Sequence, residues 1–202
     1  MRLQVLRSAS YRRMPWKNGG GETLEIAVSP QGAPLDAIDW RISMAIVASD
    51  GPFSLFPGID RTLSILEGEI ELQVQAARFT LSRASAPLWF PADVPAAARL
   101  PGGVVTDLNV MTHRARYRHE VRRIAADTTE TLDTQAEVSV IFCVEGLATC
   151  GTAQDGPVTL EARDCALLRA PGRIAITTRP GATVLLAGIY GANATPASST
   201  PV

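Results

Sequence analysis

The sequence predicts an all-β chain folded as two jelly-roll-like β-sandwich or barrel domains, with few helices. Three observations carry that expectation. Apolar and polar residues alternate with period two along much of the chain, which gives strands with unlike faces. The runs are short and are broken by Gly, Pro, Asp and Ser, the punctuation of sandwiches and barrels. The order of strand and turn signals then recurs at a nearly fixed offset.

In chain order, Leu24, Ile26 and Val28 alternate with Thr23, Glu25 and Ala27. Trp40, Ile42, Met44 and Ile46 alternate with Asp39, Arg41, Ser43 and Ala45. Residues 61–75 read as two strands joined at Glu67-Gly68, the glycine serving the turn. Residues 104–111 put Thr106, Leu108 and Val110 on one face and Asp107 and Asn109 on the other. Residues 121–135 lose the alternation; the expectation is a connecting strand plus linker, with a short helix as the alternative.

The second half repeats the first. Ile141 to Val144 leads into Glu145-Gly146, 78 residues after Glu67-Gly68 (146 − 68 = 78). The strand ending at Pro91 has a counterpart ending at Pro171 (171 − 91 = 80), and residues 104–111 match 182–190 in character. The expected division is therefore residues 1–120, residues 130–192, and a small polar tail, 193–202, of low intrinsic order. Only the first copy has polar residues on its last strand, so it is expected to carry the site and the second to be structural.

A formal net charge of −1 favours neither nucleic acid nor an anionic membrane surface as partner. No run of about 18 apolar residues is present to span a membrane. Arg2, Arg7, Arg12 and Arg13 come without the apolar core of a secretory signal, so a cytoplasmic location is expected. Cys143, Cys150 and Cys165 read as free thiols in a reducing compartment. No Cys/His spacing suits a metal, and neither metal nor cofactor is expected. Arginine supplies all positive charge except Lys17. Its planar fork suits carboxylates, but a GC-rich genome gives the same bias.

Candidate site residues fall in the first copy. Trp16, Lys17, Asn18, Gly19 and Gly20 precede the first clear strand, and the glycines let backbone N–H groups approach a partner. This is not a phosphate loop, because Lys17 precedes the glycines; the plainer reading is a flexible loop. Arg41 and Ser43 share one strand face, interior or solvent. Phe53, Phe56 and Pro57 read first as packing, and Asp60-Arg61 as a local turn pair. His113 and His119, set among Arg114, Arg116 and Arg118, read as solvated; Glu67 and Glu69 flank a hairpin and read as exposed. Glu22, Glu25 and Asp107 are the acid–base candidates should the chain be an enzyme.

The segment Leu66-Glu67-Gly68-Glu69 resembles the hairpin of the cupin superfamily. In metal-binding cupins a Glu lies seven residues before that glycine, with a His-x-His pair upstream and a later His. Here those slots fall on Arg61, near Ser54 and Phe56, and near Ala96. A cation stands where a cation ligand would, which implies an anionic ligand rather than a metal.

Five strings resemble the HutD/Ves family, bicupin proteins associated with bacterial histidine utilisation. They are Pro-Trp-Lys-Asn-Gly-Gly-Gly, Trp-Arg-Ile-Ser-Met-Ala, Asp-Gly-Pro-Phe-Ser-Leu-Phe-Pro-Gly-Ile-Asp-Arg, Leu-Glu-Gly, and Asp-Leu-Asn-Val-Met at 107–111. One departure stands out: Glu22-Thr23-Leu24 occupies the place where an Arg is expected near position 24. The resemblance implies a cytoplasmic, metal-free double cupin that controls flux through histidine catabolism, with a formylglutamate- or urocanate-type ligand. The implied ligand set is Trp16, Lys17, Asn18, Gly19, Gly20, Arg41, Ser43, Ser54, Phe56, Arg61, Asp107 and Asn109. Two other readings stay open: a metal-independent cupin enzyme, and an interaction module without a ligand. A homodimer is also left open.

Overall fold

The structure, a computed structural model, describes residues 3–193; residues 194–202, nearly all of the expected tail, lie outside the described residues. Strand alternation becomes nineteen strands in the described part, with one 3-10 turn at Ser8–Ser10 as the only helical element there. In order these are β1 (Leu3–Leu6), β2 (Arg12–Pro15), β3 (Gly21–Ser29), β4 (Trp40–Val47), β5 (Gly51–Pro52), β6 (Ile59–Glu67), β7 (Glu69–Val74), β8 (Ala77–Ser82), β9 (Leu88–Pro91) and β10 (Ala96–Arg99). They continue with β11 (Val105–His113), β12 (Tyr117–Ile124), β13 (Thr129–Thr134), β14 (Val138–Glu145), β15 (Ala148–Thr152), β16 (Gly156–Leu160), β17 (Cys165–Leu168), β18 (Gly172–Thr178) and β19 (Thr183–Gly191).

All strand pairs are antiparallel. The first sandwich sets a six-stranded sheet, β2-β3-β4-β11-β6-β9, against a four-stranded one, β5-β10-β7-β8. The second sets β1-β17-β14-β19-β12 against β13-β18-β15-β16. The order β9-β6-β11-β4 in the first recurs as β17-β14-β19-β12 in the second. Both copies shift register at the same place, between Thr106 and Asp107 and between Cys143 and Glu145. Both hairpin glycines are left-handed, Gly68 at φ 80° and Gly146 at φ 70°. A Cβ at Gly68 would lie 2.9 Å from the Val104 carbonyl, and one at Gly146 2.9 Å from Ala182. The turn and the approaching strand thus demand glycine twice, for one reason.

The large sheets pack back to back. Leu24, Ile42, Met44, Leu108 and Val110 from one meet Val140, Phe142, Leu167, Leu185 and Ile189 from the other in a single buried cluster. The even-numbered apolar residues of β4 that set its alternation therefore serve the contact between sandwiches, and its odd-numbered residues face the interior of the first. The second interior is filled by Ile141, Cys143, Ala148, Cys150, Leu160, Ala166, Ile174, Ile176 and Val184. The first holds two smaller clusters, one of Leu63, Ile65, Ile70, Leu72, Phe90 and Val105 among others, and one of Ile38, Ile59, Ala92 and Met111.

Three expectations change. Hydrogen bonding divides the chain differently from 1–120 and 130–192, since β1 pairs with β17 and β12 with β19, placing both in the second sandwich. Residues 121–135 hold no helix: they finish β12 and form β13, which pairs with β18. Thr129-Glu130-Thr131-Leu132-Asp133-Thr134 is a polar edge strand whose β-branched threonines suit extended backbone, but it lacks the apolar alternation that marks strands in sequence. His119 is not solvated. It shares the inward face of β12 with Tyr117 and Val121, and it bridges Thr62 Oγ1 (2.8 Å from Nε2) and Thr112 Oγ1 (2.7 Å from Nδ1) across the sandwich contact. Burial alone pushes its pKa down to about 4, so the ring is neutral, donating through one nitrogen and accepting through the other.

Candidate ligand-binding site

The first sandwich also encloses a cavity of about 630 Å³. Three rows of the six-stranded sheet form one wall. Antiparallel register aligns Arg41, Met111 and Arg61 in the first row, Ser43, Asn109 and Leu63 in the second, and Ala45, Asp107 and Ile65 in the third. Period-two geometry turns all three rows toward the opposing sheet. This orients Arg41 and Ser43, which the sequence left undecided: both are buried and line the cavity.

Arg61 dominates the site. Its guanidinium carbon sits 5.2 Å from the centroid of Phe53, 5.4 Å from Phe56 and 5.9 Å from Phe90. The aromatic faces offset part of the cost of desolvating the charge. Among the described residues the side chain has no hydrogen-bond or ion-pair partner, and its Nε is fully enclosed. Burial, with Arg41 nearby, lowers its pKa to about 10 against the opposing pull of Asp107; it remains a cation at neutral pH. The local turn pair expected of Asp60 and Arg61 does not form, because Asp60 faces away and accepts from Arg114 Nε at 2.9 Å. Arg114 also grips Asp93, at 2.8 Å, and Asp93 accepts from the Gly58 amide. That clamp holds the turn following Phe56.

Arg41 is satisfied differently. Its Nε donates to Glu25 Oε2 at 2.9 Å, and its other end reaches Met14 Sδ at 3.7 Å. Glu22 pairs with Arg13 on the sheet edge. Of the three acid–base candidates, this leaves Asp107 as the carboxylate without a cation in contact. Asp107 Oδ1 accepts from Asn109 Nδ2 at 2.6 Å, its one side-chain partner among the described residues. Complete burial raises its pKa to about 7, while Arg61 and the Asn109 hydrogen bond pull the other way.

The glycine-rich segment forms the mouth. Trp16 Nε1 donates to Thr23 Oγ1 at 2.8 Å, fixing the indole at the rim. Gly21 lies under that ring: a Cβ there would strike the Ile46 carbonyl and sit 3.2 Å from the indole. Lys17 and Asn18 are exposed and line the opening, and Asn18 Oδ1 accepts from the Gly20 amide at 3.0 Å. Ser54 and Phe56 line the cavity, Ser54 exposed at its edge. Gly19 and Gly20 do not line it. Gly19 takes the left-handed turn (φ 70°) and Gly20 packs against Ser49, so both shape the loop. Met14, Thr23, Asp50 and Met111, absent from the expected set, also line the cavity, as does Phe53, whose first reading in sequence is packing. A bulky aromatic three residues before Phe56 was the available signal. Among the described residues, no three His, Cys, Asp or Glu side chains converge as a metal site would require.

Two antiparallel jelly rolls in tandem, one closed by its core and one open on a buried cation, define a double cupin. A cupin 2 conserved barrel domain protein from Leptotrichia buccalis matches the fold alone, with a TM-score of 0.57 at 9% identity over 92% of this chain and 99% of that one. The family profile of HutD matches residues 8–186, and the chain belongs to the HutD family. It is 41% identical to Protein Ves of Citrobacter koseri over 67% of this chain and 71% of that one. It is 35% identical to an uncharacterized 21.2 kDa protein in the hutC 3′ region of Pseudomonas putida, over 69% of this chain and 73% of that one. Among solved structures, a conserved protein of unknown function from Pseudomonas aeruginosa PAO1 aligns with a TM-score of 0.87 at 28% identity, covering 94% of this chain and all of that one. HutD from Pseudomonas fluorescens SBW25, in a formate condition, aligns with a TM-score of 0.82 at 26% identity, covering 94% and 99%.

Proposed function

We propose that the first cupin is a receptor for a small carboxylate metabolite and that ligand occupancy modulates histidine utilisation. The observation that carries this reading is the state of Arg61. A buried charge is tolerated when it is paired, yet this guanidinium is ringed by aromatics and opens onto a cavity with its hydrogen-bonding edge unused. A carboxylate fits that edge in a bidentate pair. Lys17 at the rim adds a second cation on the way in. Asn109 and Ser43, in the middle row, offer neutral polar groups to an amide, formyl or ring nitrogen. The relative in the hutC 3′ region supports a pathway metabolite of formylglutamate or urocanate type.

The test is titration calorimetry of the wild type and Arg61→Ala with formylglutamate, urocanate and glutamate. Losing a buried charged partner costs about 2–5 kcal/mol, so the expected result is binding in the wild type weakened more than tenfold in the variant. Equal affinity in both, or binding in neither, removes the receptor reading.

A second reading has one specific observation behind it. A fully buried carboxyl with a pKa near neutrality is what a general acid–base needs. Following the same incubations for chemical turnover separates a metal-independent enzyme from a receptor, and Asp107→Asn would abolish turnover if the chain is an enzyme.

A further inference from the structure

We infer that Asp107 makes ligand binding proton-coupled: the cavity takes up one proton with each carboxylate and so selects monocarboxylates whose far end is neutral and accepts a hydrogen bond. This rests on the receptor reading and narrows it: by adding a second recognition element at the opposite end of the wall, it sets urocanate-type monocarboxylates above the dianionic formylglutamate.

The argument begins with charge. The cavity presents Lys17, Arg41 and Arg61, and against them Asp50, Asp107 and the Glu25 that holds Arg41. With Asp107 ionised the two sets cancel, and an incoming anion has no net charge to meet. With Asp107 protonated the set carries one positive charge, which a monoanion matches.

Geometry then says where the proton goes. Arg61 lies two rows from Asp107, and no ion pair closes between them. Arg61 therefore stabilises the Asp107 anion only across the cavity. A carboxylate seated on Arg61 cancels that field and brings its own negative charge into the same buried space. Among the described residues no other group compensates: Lys17 is exposed to solvent at the mouth. On β4, Arg41 is taken by Glu25; on β6, the facing neighbour is Ile65; the opposing sheet offers Ala98 of β10 and Pro52 of β5. Asp50, at the rim, accepts from the Leu100 amide, and His119 is on the reverse face of the sheet. A fully buried carboxylate left without a cation binds a proton. It then becomes a donor, held in place by Asn109, aimed at whatever acceptor the ligand carries.

An amino-acid zwitterion behaves differently. Its ammonium would pair with an ionised Asp107, and no proton would be taken up. The cavity thus distinguishes two ligand classes by the protonation state each requires.

Calorimetry decides this, with urocanate and glutamate as probes, in two buffers of different ionisation enthalpy. Between about pH 7.5 and 9 the imidazole of urocanate is neutral and Asp107 of the free protein is mainly ionised. The expected result is uptake of close to one proton per urocanate and an affinity falling roughly tenfold per pH unit, with neither effect for glutamate. Asp107→Asn should bind urocanate with no proton uptake and a flat pH profile. Arg61→Ala separates the two ideas, since it tests the receptor alone. Wild-type binding of urocanate that Arg61→Ala abolishes, but with no proton uptake, overturns the coupling and leaves the receptor standing. So does a pH slope that survives in Asp107→Asn. Binding of neither probe overturns both.

Discussion

Arg61 and Asp107 stand on paired strands of one sheet, two rows apart, and no ion pair closes between them. A cation and an anion stand on one cavity wall, and neither contacts a counter-ion among the described residues. That arrangement has measurable consequences for stability as well as for binding.

Arg61→Met should stabilise the unliganded protein. Among the described residues the buried guanidinium has only three aromatic faces to offset its desolvation; even a paired buried charge, when replaced together with its partner by apolar side chains, often yields a gain of about 1–4 kcal/mol. Denaturant melts without ligand should show a higher midpoint for the variant at an unchanged slope. A closed structural ion pair would give the opposite result.

The unliganded wild type should lose stability as the pH rises through Asp107's titration. Its folded pKa, about 7, is above the unfolded carboxyl value near 4. The folded state therefore holds the proton more tightly, and the contribution is full below about pH 4 and gone once the pH passes 7. Asp107→Asn removes that dependence, so its stability should change less than the wild type's between pH 5 and 8 in thermal scans.

His119 has the opposite sign. Its pKa falls from 6.5 to about 4 on folding, so its contribution is present above pH 6.5 and is lost as the pH falls through 4, by roughly 3 kcal/mol in all. His119→Gln should be less stable than the wild type at pH 7, because Thr62 and Thr112 lose well-placed partners, typically about 1–3 kcal/mol for a buried group. The gap between the two should narrow toward pH 4. A gap of constant size would mean that the imidazole is not held neutral.

Gly21→Ala should open the mouth of the cavity. Its added carbon cannot coexist with the Ile46 carbonyl and the Trp16 indole in their present places. The expected readout is a red-shifted Trp16 fluorescence component and weaker ligand binding, with the fold retained. The single-tryptophan background Trp40→Phe/Trp89→Phe isolates the signal.

Much of the fold was legible because period-two patterning and turn glycines report local backbone demands. Gly68 and Gly146 announced the duplicated hairpin, and Arg61 in the acid's slot announced the cavity. What stayed hidden depends on partners distant in sequence. Nothing local says that Leu3–Leu6 pairs with β17, or that Thr62 and Thr112 wait for His119. Arg41 looked like Arg61 in sequence; only the register of β3 against β4, which sets Glu25 opposite Ser43, shows that one is neutralised and the other is not. Gly19 and Gly20 shared the family string with Trp16, but a string does not separate residues that shape a loop from those that line the cavity beside it.

β1 is an edge of the second sandwich, and its hydrogen-bonding partner, β17, lies at the far end of the chain. Leu3 and Leu168 are paired in register. On a ribosome adding about 5–20 residues per second, β1 would therefore emerge roughly 8–30 s before the strand it must join. During that interval the first sandwich can curl around its cavity, but its back, with Leu24, Ile42 and Val110, has nothing to lie against. The half that carries the site is synthesised first and completed last, so a truncation or stalled synthesis within the apparently inert second half would silence the site without touching a residue of it.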